Sequence, residues 1–236
     1  IRFHSLNVAI LSITVGHQLG ISGPELVRLG TTALLHDIGT ARIPDAIYYK
    51  PSQLTESELR ELRQRTILSQ HVLGQSGKEH TYLSEIAVQV YERLDGSGYP
   101  AGLKDGDIHE YAQIIGLADW YEAMVHSRPH RDRFMHFQAI KEILGSGKQA
   151  FDKKHLKALV NAVSMFPLFS YVQLNSGAVG RVLETNSRDP LRPRLKILFD
   201  AQKKPVASDR IVDLKENPLL YICDSVAEEA VASAST

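Results

Sequence analysis

The chain has 236 residues, of which 43% are hydrophobic and 23% are charged, as in ordinary water-soluble globular proteins. Its 27 basic and 27 acidic residues balance, which argues against a nucleic-acid-binding domain, where a basic surface is expected. No apolar run approaches the roughly 18 residues that a transmembrane helix needs, so we expect no membrane association. A single cysteine, Cys223, cannot form an internal disulfide and indicates a reducing, cytoplasmic compartment.

The chain begins at Ile1 rather than at a methionine. The basic residues and the apolar stretch of a signal peptide are also missing from its start. We therefore expect the chain to be a fragment of a longer protein, with further domains upstream.

Residues 1–167 have the apolar spacing of helices. In the first predicted helix, Phe3–Leu19, the residues Leu6, Ile10 and Ile13 recur at intervals of four and three. This spacing predicts a stripe that is buried against a neighbouring element. Later segments with helical spacing are predicted over 82–93, 110–124, 134–144 and 153–166.

Two capping signals mark the start of two more helices. Ser22 is followed three residues later by Glu25, and Thr55 is followed in the same way by Glu58. In such a capping box each side chain satisfies a backbone N–H of the other residue. The pattern predicts helices over 22–35 and 55–73.

The pattern changes after Pro167, where short aliphatic and aromatic runs alternate with prolines. Asn175-Ser176-Gly177 is typical of a hairpin turn between two such runs. Strands are predicted over 170–174, 178–183, 195–199, 211–214 and 219–223. We expect a mainly α protein, with a helical domain over 1–167, an appended small β module over 168–224 and a flexible tail over 225–236. The β module has no chemistry that its sequence identifies.

Four isolated polar residues lie on or beside apolar helical segments. His36 and Asp37 follow an apolar helix end, and His4 and Asp119 each interrupt an apolar segment. A neutral imidazole and a carboxylate are suitable ligands for a divalent cation. Taken one at a time, however, such residues are more often helix caps or satisfied core residues than metal ligands.

The residues that flank these four side chains form a longer pattern. In chain order, its strings are His4-Ser5, His36-Asp37-Ile38-Gly39, Ile43-Pro44-Asp45, Lys50-Pro51, Asp95-Gly96-Ser97-Gly98-Tyr99-Pro100, Ala118-Asp119 and Arg128-Pro129-His130-Arg131. From His4 to about Phe166, the chain resembles the HD-GYP branch of the HD superfamily. The resemblance implies an HD-type helical bundle and bacterial signalling through cyclic di-GMP. Active members hydrolyse that nucleotide to pGpG or GMP with two or three iron or manganese ions.

The chain departs from the family pattern at four positions. Arg65 stands where the family has the histidine of its His-Pro-x-x-Gly motif, and Val90-Tyr91 stands where it has paired histidines. Thr40 replaces a lysine that is thought to donate a proton in the family. A fixed cation at residue 65 would also repel a metal ion nearby.

The ligands that the resemblance retains are His4, His36, Asp37 and Asp119, with Asp37 also expected to act in catalysis. This set is similar to the tetrad of the wider HD superfamily, which holds a single divalent ion. We therefore predict a reduced, mononuclear site for iron, manganese or a similar ion. An eroded site that binds no metal is the alternative.

The resemblance also implies residues that bind substrate. Arg128 and Arg131 match positions that hold phosphate, and guanidinium groups suit anionic oxygens. Tyr99 offers a hydroxyl or a stacking face, although its loop could equally be a structural turn. Lys50 is either a phosphate contact or an anchor of its loop.

The predicted function is that of a metal-dependent phosphohydrolase-type domain in cyclic di-GMP signalling, with weak or absent phosphodiesterase activity. One alternative is a catalytically inactive nucleotide sensor or protein-interaction domain. Another is a phosphohydrolase that acts on a mononucleotide. The expected ligand is cyclic di-GMP or a related nucleotide, and a signalling protein partner and a homodimer stay open.

Overall fold

The computed structural model describes residues 2–126, 134–163, 165–186, 189–206, 210–227 and 231. The chain divides into two compact units, the first comprising Ile1–Arg133 with Glu142–Ala162 and the second Phe134–Lys141 with Val163–Thr236. The first unit is helical and the second carries an antiparallel sheet, which confirms the predicted fold class. Residues 134–141 group with the sheet, although they precede the expected boundary at residue 167.

The described helices follow the predicted order. They are α1 (Arg2–Gln18), α2 (Gly23–Leu35), α3 (Asp45–Tyr48), α4 (Glu56–Arg63), α5 (Arg65–Leu73), α6 (Thr81–Ala87), α7 (Glu110–Val125), α8 (His136–Ser146) and α9 (Lys153–Ala162). Helix α7 forms much of the core of the first unit, with Ile114, Ile115 and Leu117 fully buried. Helix α1 packs against α2, α7 and α9. Within the described ranges, no helix combines the length and the apolar character needed to cross a membrane.

The stripe predicted to be buried on α1 is exposed. Leu6, Ile10 and Ile13 expose 48%, 56% and 38% of their surface, whereas Val8 and Val15 are almost completely buried. Helix α1 is apolar on both faces, and such a helix has two candidate buried stripes. Periodicity indicated a helix correctly, but it could not identify the face that packs against α2 and α7.

The two predicted capping boxes have different outcomes. At Thr55 both reciprocal bonds form, with the Thr55 N–H donating to Glu58 over 2.7 Å. Ser22 precedes α2, but its side chain caps nothing, so this capping box was wrong. Glu25 is instead paired with Arg28 at 3.0 Å and accepts a hydrogen bond from the Tyr111 hydroxyl at 2.6 Å.

Three helices are shorter than predicted, and one of them, expected over 153–166, ends at Ala162. The helix expected over 55–73 is interrupted at Gln64, whose N–H turns back to the Glu61 carbonyl at 3.0 Å. The helix expected over 82–93 ends at Ala87, and turns follow. Both interruptions lie close to residues of the candidate site, Arg65 and Tyr91.

The sheet of the second unit has the order β4-β3-β2-β1-β5, and every neighbouring pair is antiparallel. Its strands are β1 (Tyr171–Leu174), β2 (Val179–Glu184), β3 (Arg194–Phe199), β4 (Ile211–Asp213) and β5 (Ile222–Val226). The predicted turn closes the β1–β2 hairpin, where Gly177 has φ of +86° and donates to the Leu174 carbonyl at 2.8 Å. The tail was expected from Ser225, but Ser225 and Val226 pair with β1 inside β5.

Candidate metal centre

Three helices bring together His4, His36 and Asp119. His4 lies in the first turn of α1, His36 directly follows α2, and Asp119 lies in the middle of α7. Because α1 packs against both α2 and α7, these side chains converge although they are far apart in sequence. One ligand atom from each of the three lies within 4.8 Å of the others, which is a spacing suited to one metal ion.

The orientation of the two imidazoles fits a metal ion. The Nδ1 of His36 lies 2.7 Å from the Ala33 carbonyl and must donate to it, because a carbonyl oxygen only accepts. In a neutral His36 the lone pair is then on Nε2, which is buried, lacks a partner among the described residues and lies 3.6 Å from Asp119 Oδ1. His4 Nε2 lies 2.9 Å from the same oxygen. An orphaned imidazole nitrogen beside a carboxylate is chemically suited to Zn²⁺, Mn²⁺ or Fe²⁺.

The other ring nitrogen of His4 contacts Glu122, a residue that the sequence analysis missed. The Nδ1 of His4 pairs with Glu122 Oε2, while Asn7 donates to Glu122 Oε1 at 3.2 Å. His126 Nδ1 also lies 3.2 Å from Oε1. Glu122 is three residues beyond Asp119, which places both carboxylates on one face of α7 and was the available sequence signal.

These contacts shift the pKa values of the site. Burial disfavours the charged form of His4, yet the hydrogen bonds to Asp119 and Glu122 raise its pKa to about 9. Burial would raise the pKa of Asp119, but His36 and His4 hold it well below its ordinary range. In the absence of a metal, His4 is therefore an imidazolium between two carboxylates.

Asp37 is buried next to this group but outside it. Its Oδ2 lies 3.8 Å from Nη1 of Arg65, and its Oδ1 has no hydrogen-bond partner in the described part of the chain. Of the four predicted ligands, the structure thus brings three together and places the fourth beside a guanidinium. The role of Asp37 as ligand and catalytic residue stays a prediction.

A close backbone approach positions Arg65. A Cβ atom built on Gly39 would lie 2.3 Å from the Arg65 carbonyl oxygen and 2.4 Å from the Ser69 nitrogen. Only glycine therefore allows the turn after Asp37 to touch the start of α5. The Gly39 N–H donates to Ser69 Oγ at 2.9 Å and fixes this contact.

Aromatic rings hold the Arg65 guanidinium on its other side. Its carbon Cζ lies 4.0 Å from the centre of the Tyr91 ring, and Nη2 donates to the Tyr99 hydroxyl at 3.1 Å. The Tyr91 and Tyr99 rings are stacked, with centroids 5.2 Å apart and planes 7° apart. Glu92, a second residue that the sequence analysis missed, anchors the Tyr99 loop by accepting from the backbone of Ala101 and Leu103 at 2.6 and 3.0 Å.

The remaining predicted residues have separate outcomes. Lys50 donates to both carboxylate oxygens of Glu58, at 2.7 and 2.8 Å, so its contact with phosphate stays a prediction. Thr40 is buried, and its hydroxyl lacks a partner among the described residues. Arg128 and Arg131 lie outside the described residues.

Two family models match successive parts of the chain. The family model described as HD domain matches residues 4–155, and the model described as KOW domain associated with HD domain matches residues 171–234. A cyclic di-GMP phosphodiesterase of Pseudomonas aeruginosa is 33% identical over 211 residues, which cover 89% of this chain and 51% of the relative. The cyclic di-GMP phosphodiesterase PdeB of Borreliella burgdorferi is 32% identical over 196 residues, covering 83% of this chain and 52% of the relative.

The chain thus spans about half the length of these curated relatives. Among solved structures, an HDG"Y"P protein from Bdellovibrio bacteriovorus has the same fold in the matched region, with a TM-score of 0.56 and 22% sequence identity. That match covers 67% of this chain and 50% of the other. The HD domain match, which extends over more than half of the chain, and the motifs around His36 and Tyr99 show that this chain belongs to the HD domain family, in its HD-GYP branch.

Proposed function

We propose that this chain is a metal-dependent phosphohydrolase domain of bacterial cyclic di-GMP signalling, with a one-metal site and slow or absent turnover of that nucleotide. The convergence of His4, His36 and Asp119 within 4.8 Å supports this proposal most directly. The relatives named above are cyclic di-GMP phosphodiesterases, which supports the substrate class. The free thiol of Cys223 supports a reducing, cytoplasmic location.

His4, His36 and Asp119 would hold the ion, and Asp37, which directly follows His36 in the chain, is the proposed fourth ligand. A divalent ion supplies two things to such a site, a lowered pKa of its bound water and polarisation of a phosphoryl oxygen. The protein's own contribution is orientation, because Ala33 fixes the tautomer of His36 and Glu122 holds the ring of His4.

Arg65 is the reason for proposing one ion rather than two or three. Its guanidinium lies beside Asp37 and against Tyr91, at positions where the HD-GYP resemblance expects metal-ligating histidines. An arginine stays charged in proteins and offers no lone pair to a metal. A second cation on this side would meet electrostatic repulsion instead of a ligand.

Thr40 is the reason for proposing slow turnover. A threonine hydroxyl is a poor acid, whereas the family's lysine carries a transferable proton at this position. General acid catalysis typically contributes about 10²- to 10⁴-fold in rate. The loss of that group and of additional metal ions also favours the second candidate, a sensor that binds the nucleotide without cleaving it. A one-metal phosphohydrolase for a mononucleotide is the third candidate.

The test combines metal analysis, binding and turnover on the purified chain. We expect about one Mn²⁺ or Fe²⁺ per chain, calorimetric binding of cyclic di-GMP, and hydrolysis slower by about 10² or more than that of an active relative assayed in parallel. The Asp119→Asn variant, which removes one ligand charge, should lose the metal. Absence of metal in the wild-type chain, or rapid hydrolysis with two bound ions, would contradict the proposal. Binding with no detectable turnover identifies the sensor.

A further inference from the structure

The guanidinium of Arg65 has far more hydrogen-bonding capacity than its surroundings use. An arginine side chain carries five N–H donors. Within the described part of the chain, one hydrogen bond uses them, from Nη2 to the Tyr99 hydroxyl. The Nε–H is buried without a partner, and the 3.8 Å separation from Asp37 is too long for a hydrogen bond.

Buried N–H donors without acceptors lower the stability of the fold unless another group accepts hydrogen bonds from them. Buried polar groups in folded proteins are nearly always hydrogen-bonded, and a buried donor left without a partner lowers stability. The Tyr91 hydroxyl, in the ring against which Arg65 stacks, is a second buried group with no partner among the described residues. Two unsatisfied donors therefore belong to side chains that contact each other, and one of these, Arg65, lies beside Asp37.

Arg65 is more accessible to solvent than its buried neighbours Asp37 and His36. The Arg65 side chain keeps 15% of its surface exposed, compared with 3% for Asp37 and none for His36. Stacking on Tyr91 holds the guanidinium plane, so its fork of donors is preorganised rather than mobile. A planar fork of N–H groups matches two oxygens of a phosphoryl group.

We propose that Arg65, assisted by the Tyr91 hydroxyl, forms a phosphoryl-binding subsite beside the metal centre and holds anionic oxygens of a phosphate ester. This inference rests on the proposed function, because the carboxylates of Asp37, Asp119 and Glu122 repel an anion until a divalent ion balances them. Arg65 then has two consequences: it disfavours a second ion, and it binds the substrate charge that such an ion would otherwise bind.

Inorganic phosphate is the probe for this subsite. The full chain is titrated with phosphate by calorimetry, with and without saturating Mn²⁺, and ³¹P relaxation by Mn²⁺ reports whether the phosphate lies beside the metal. The variants are Arg65→Gln, Arg65→Lys and Tyr91→Phe, each checked for folding by circular dichroism. Arg60→Gln is the matched control, because it makes the same change at an exposed position of α4.

We expect Mn²⁺-loaded wild-type protein to bind phosphate with paramagnetic relaxation of the ³¹P signal. Arg65→Gln should weaken that binding by roughly ten- to a hundredfold, the range expected for a charge-assisted fork. Arg65→Lys keeps the charge but loses the fork, so its phosphate affinity should lie between those of wild type and Arg65→Gln. The phosphate affinity of Arg60→Gln should stay within about twofold of that of wild type.

Equal or tighter phosphate binding by Arg65→Gln would overturn the inference, as would a wild-type chain that binds no phosphate in either condition. Mn²⁺ uptake, measured on the same samples by electron paramagnetic resonance of the free ion, tests the proposed function separately. If the wild-type chain takes up no Mn²⁺, the proposed function fails. If the wild-type chain takes up Mn²⁺ but Arg65→Gln binds phosphate as tightly as wild type, only the role of Arg65 fails.

Discussion

The imidazole of His4 lies between the carboxylates of Asp119 and Glu122 and contacts one with each ring nitrogen. The Asp119 contact lies on the side of the candidate metal position, and the Glu122 contact lies on the opposite side of the ring. A carboxylate on the second nitrogen of a metal-binding histidine fixes the tautomer and raises the basicity of the ligand nitrogen. Glu122 thus has the geometry of a positioning residue, held in turn by Asn7.

Replacing Glu122 by glutamine should weaken metal binding without removing a ligand. Loss of such a supporting carboxylate typically costs about 10- to 100-fold in metal affinity. Competition with a chelator of known affinity measures the change, and the visible spectrum of Co²⁺-loaded protein reports whether the ligand geometry is altered. Glu79→Gln, at an exposed glutamate, is the control. Unchanged affinity in Glu122→Gln would show that His4 is oriented by its helix alone.

Metal binding should release a proton from His4. The pKa of this imidazole is raised to about 9 in the metal-free site, but a metal-bound imidazole nitrogen must be unprotonated. Metal affinity should therefore rise with pH up to about 9 and then level off. Calorimetry at pH 7.5 in buffers of different ionisation enthalpy measures the proton release. The same affinity at pH 6.5 and pH 8.5 would contradict this account.

The stability of the metal-free protein should have the opposite pH dependence. The pKa of His4 is higher in the folded state, about 9, than its ordinary value of 6.5. Its charge therefore stabilises the fold fully below pH 6.5, and this contribution is lost as the pH rises through about 9. Urea unfolding across this range in the presence of a chelator measures the effect. His4→Gln should remove that component of the slope.

Because backbone atoms approach Gly39 closely, adding a single methyl group at this residue should clearly lower the stability of the fold. The Cβ atom of Gly39→Ala would meet two backbone atoms, of Arg65 and Ser69, and neither can rotate away. We expect destabilisation by about 1–3 kcal/mol, as for overpacking elsewhere. Gly145→Ala is the control, because nothing lies within 4 Å of its Cβ position in α8. Thermal unfolding should show this control unchanged or slightly more stable, and an equal effect of both substitutions would refute the argument.

The two predicted capping boxes provide a matched pair of variants. Thr55→Ala removes a side chain that completes a capping box and should cost about 1 kcal/mol in the free energy of unfolding. Ser22→Ala removes a side chain that caps nothing, so its effect should stay within about 0.5 kcal/mol. Chemical denaturation of both variants distinguishes the two helix starts. A larger loss of unfolding free energy for Ser22→Ala than for Thr55→Ala would contradict the observed geometry of the two caps.

Sequence patterning was reliable where local interactions dominate. The first four strands and the hairpin turn at Gly177 were predicted close to their observed positions, because alternation and turn chemistry act over a few residues. Strand β5 begins and ends three residues later than predicted. The face of α1 was not predictable, since Leu6 and Val8 are equally suited to burial. The interruption at Gln64 was also missed, because it depends on how α4 and α5 pack.

By itself, the sequence predicted the family, the fold class and four candidate ligands, His4, His36, Asp37 and Asp119. Only the tertiary structure decided how the site is completed. It placed Asp37 against Arg65 rather than within the group of three, and it brought Glu122 against His4 and Tyr91 against Arg65. The physical reason is that charge pairing and stacking depend on distances between helices, and no spacing along one chain specifies those distances.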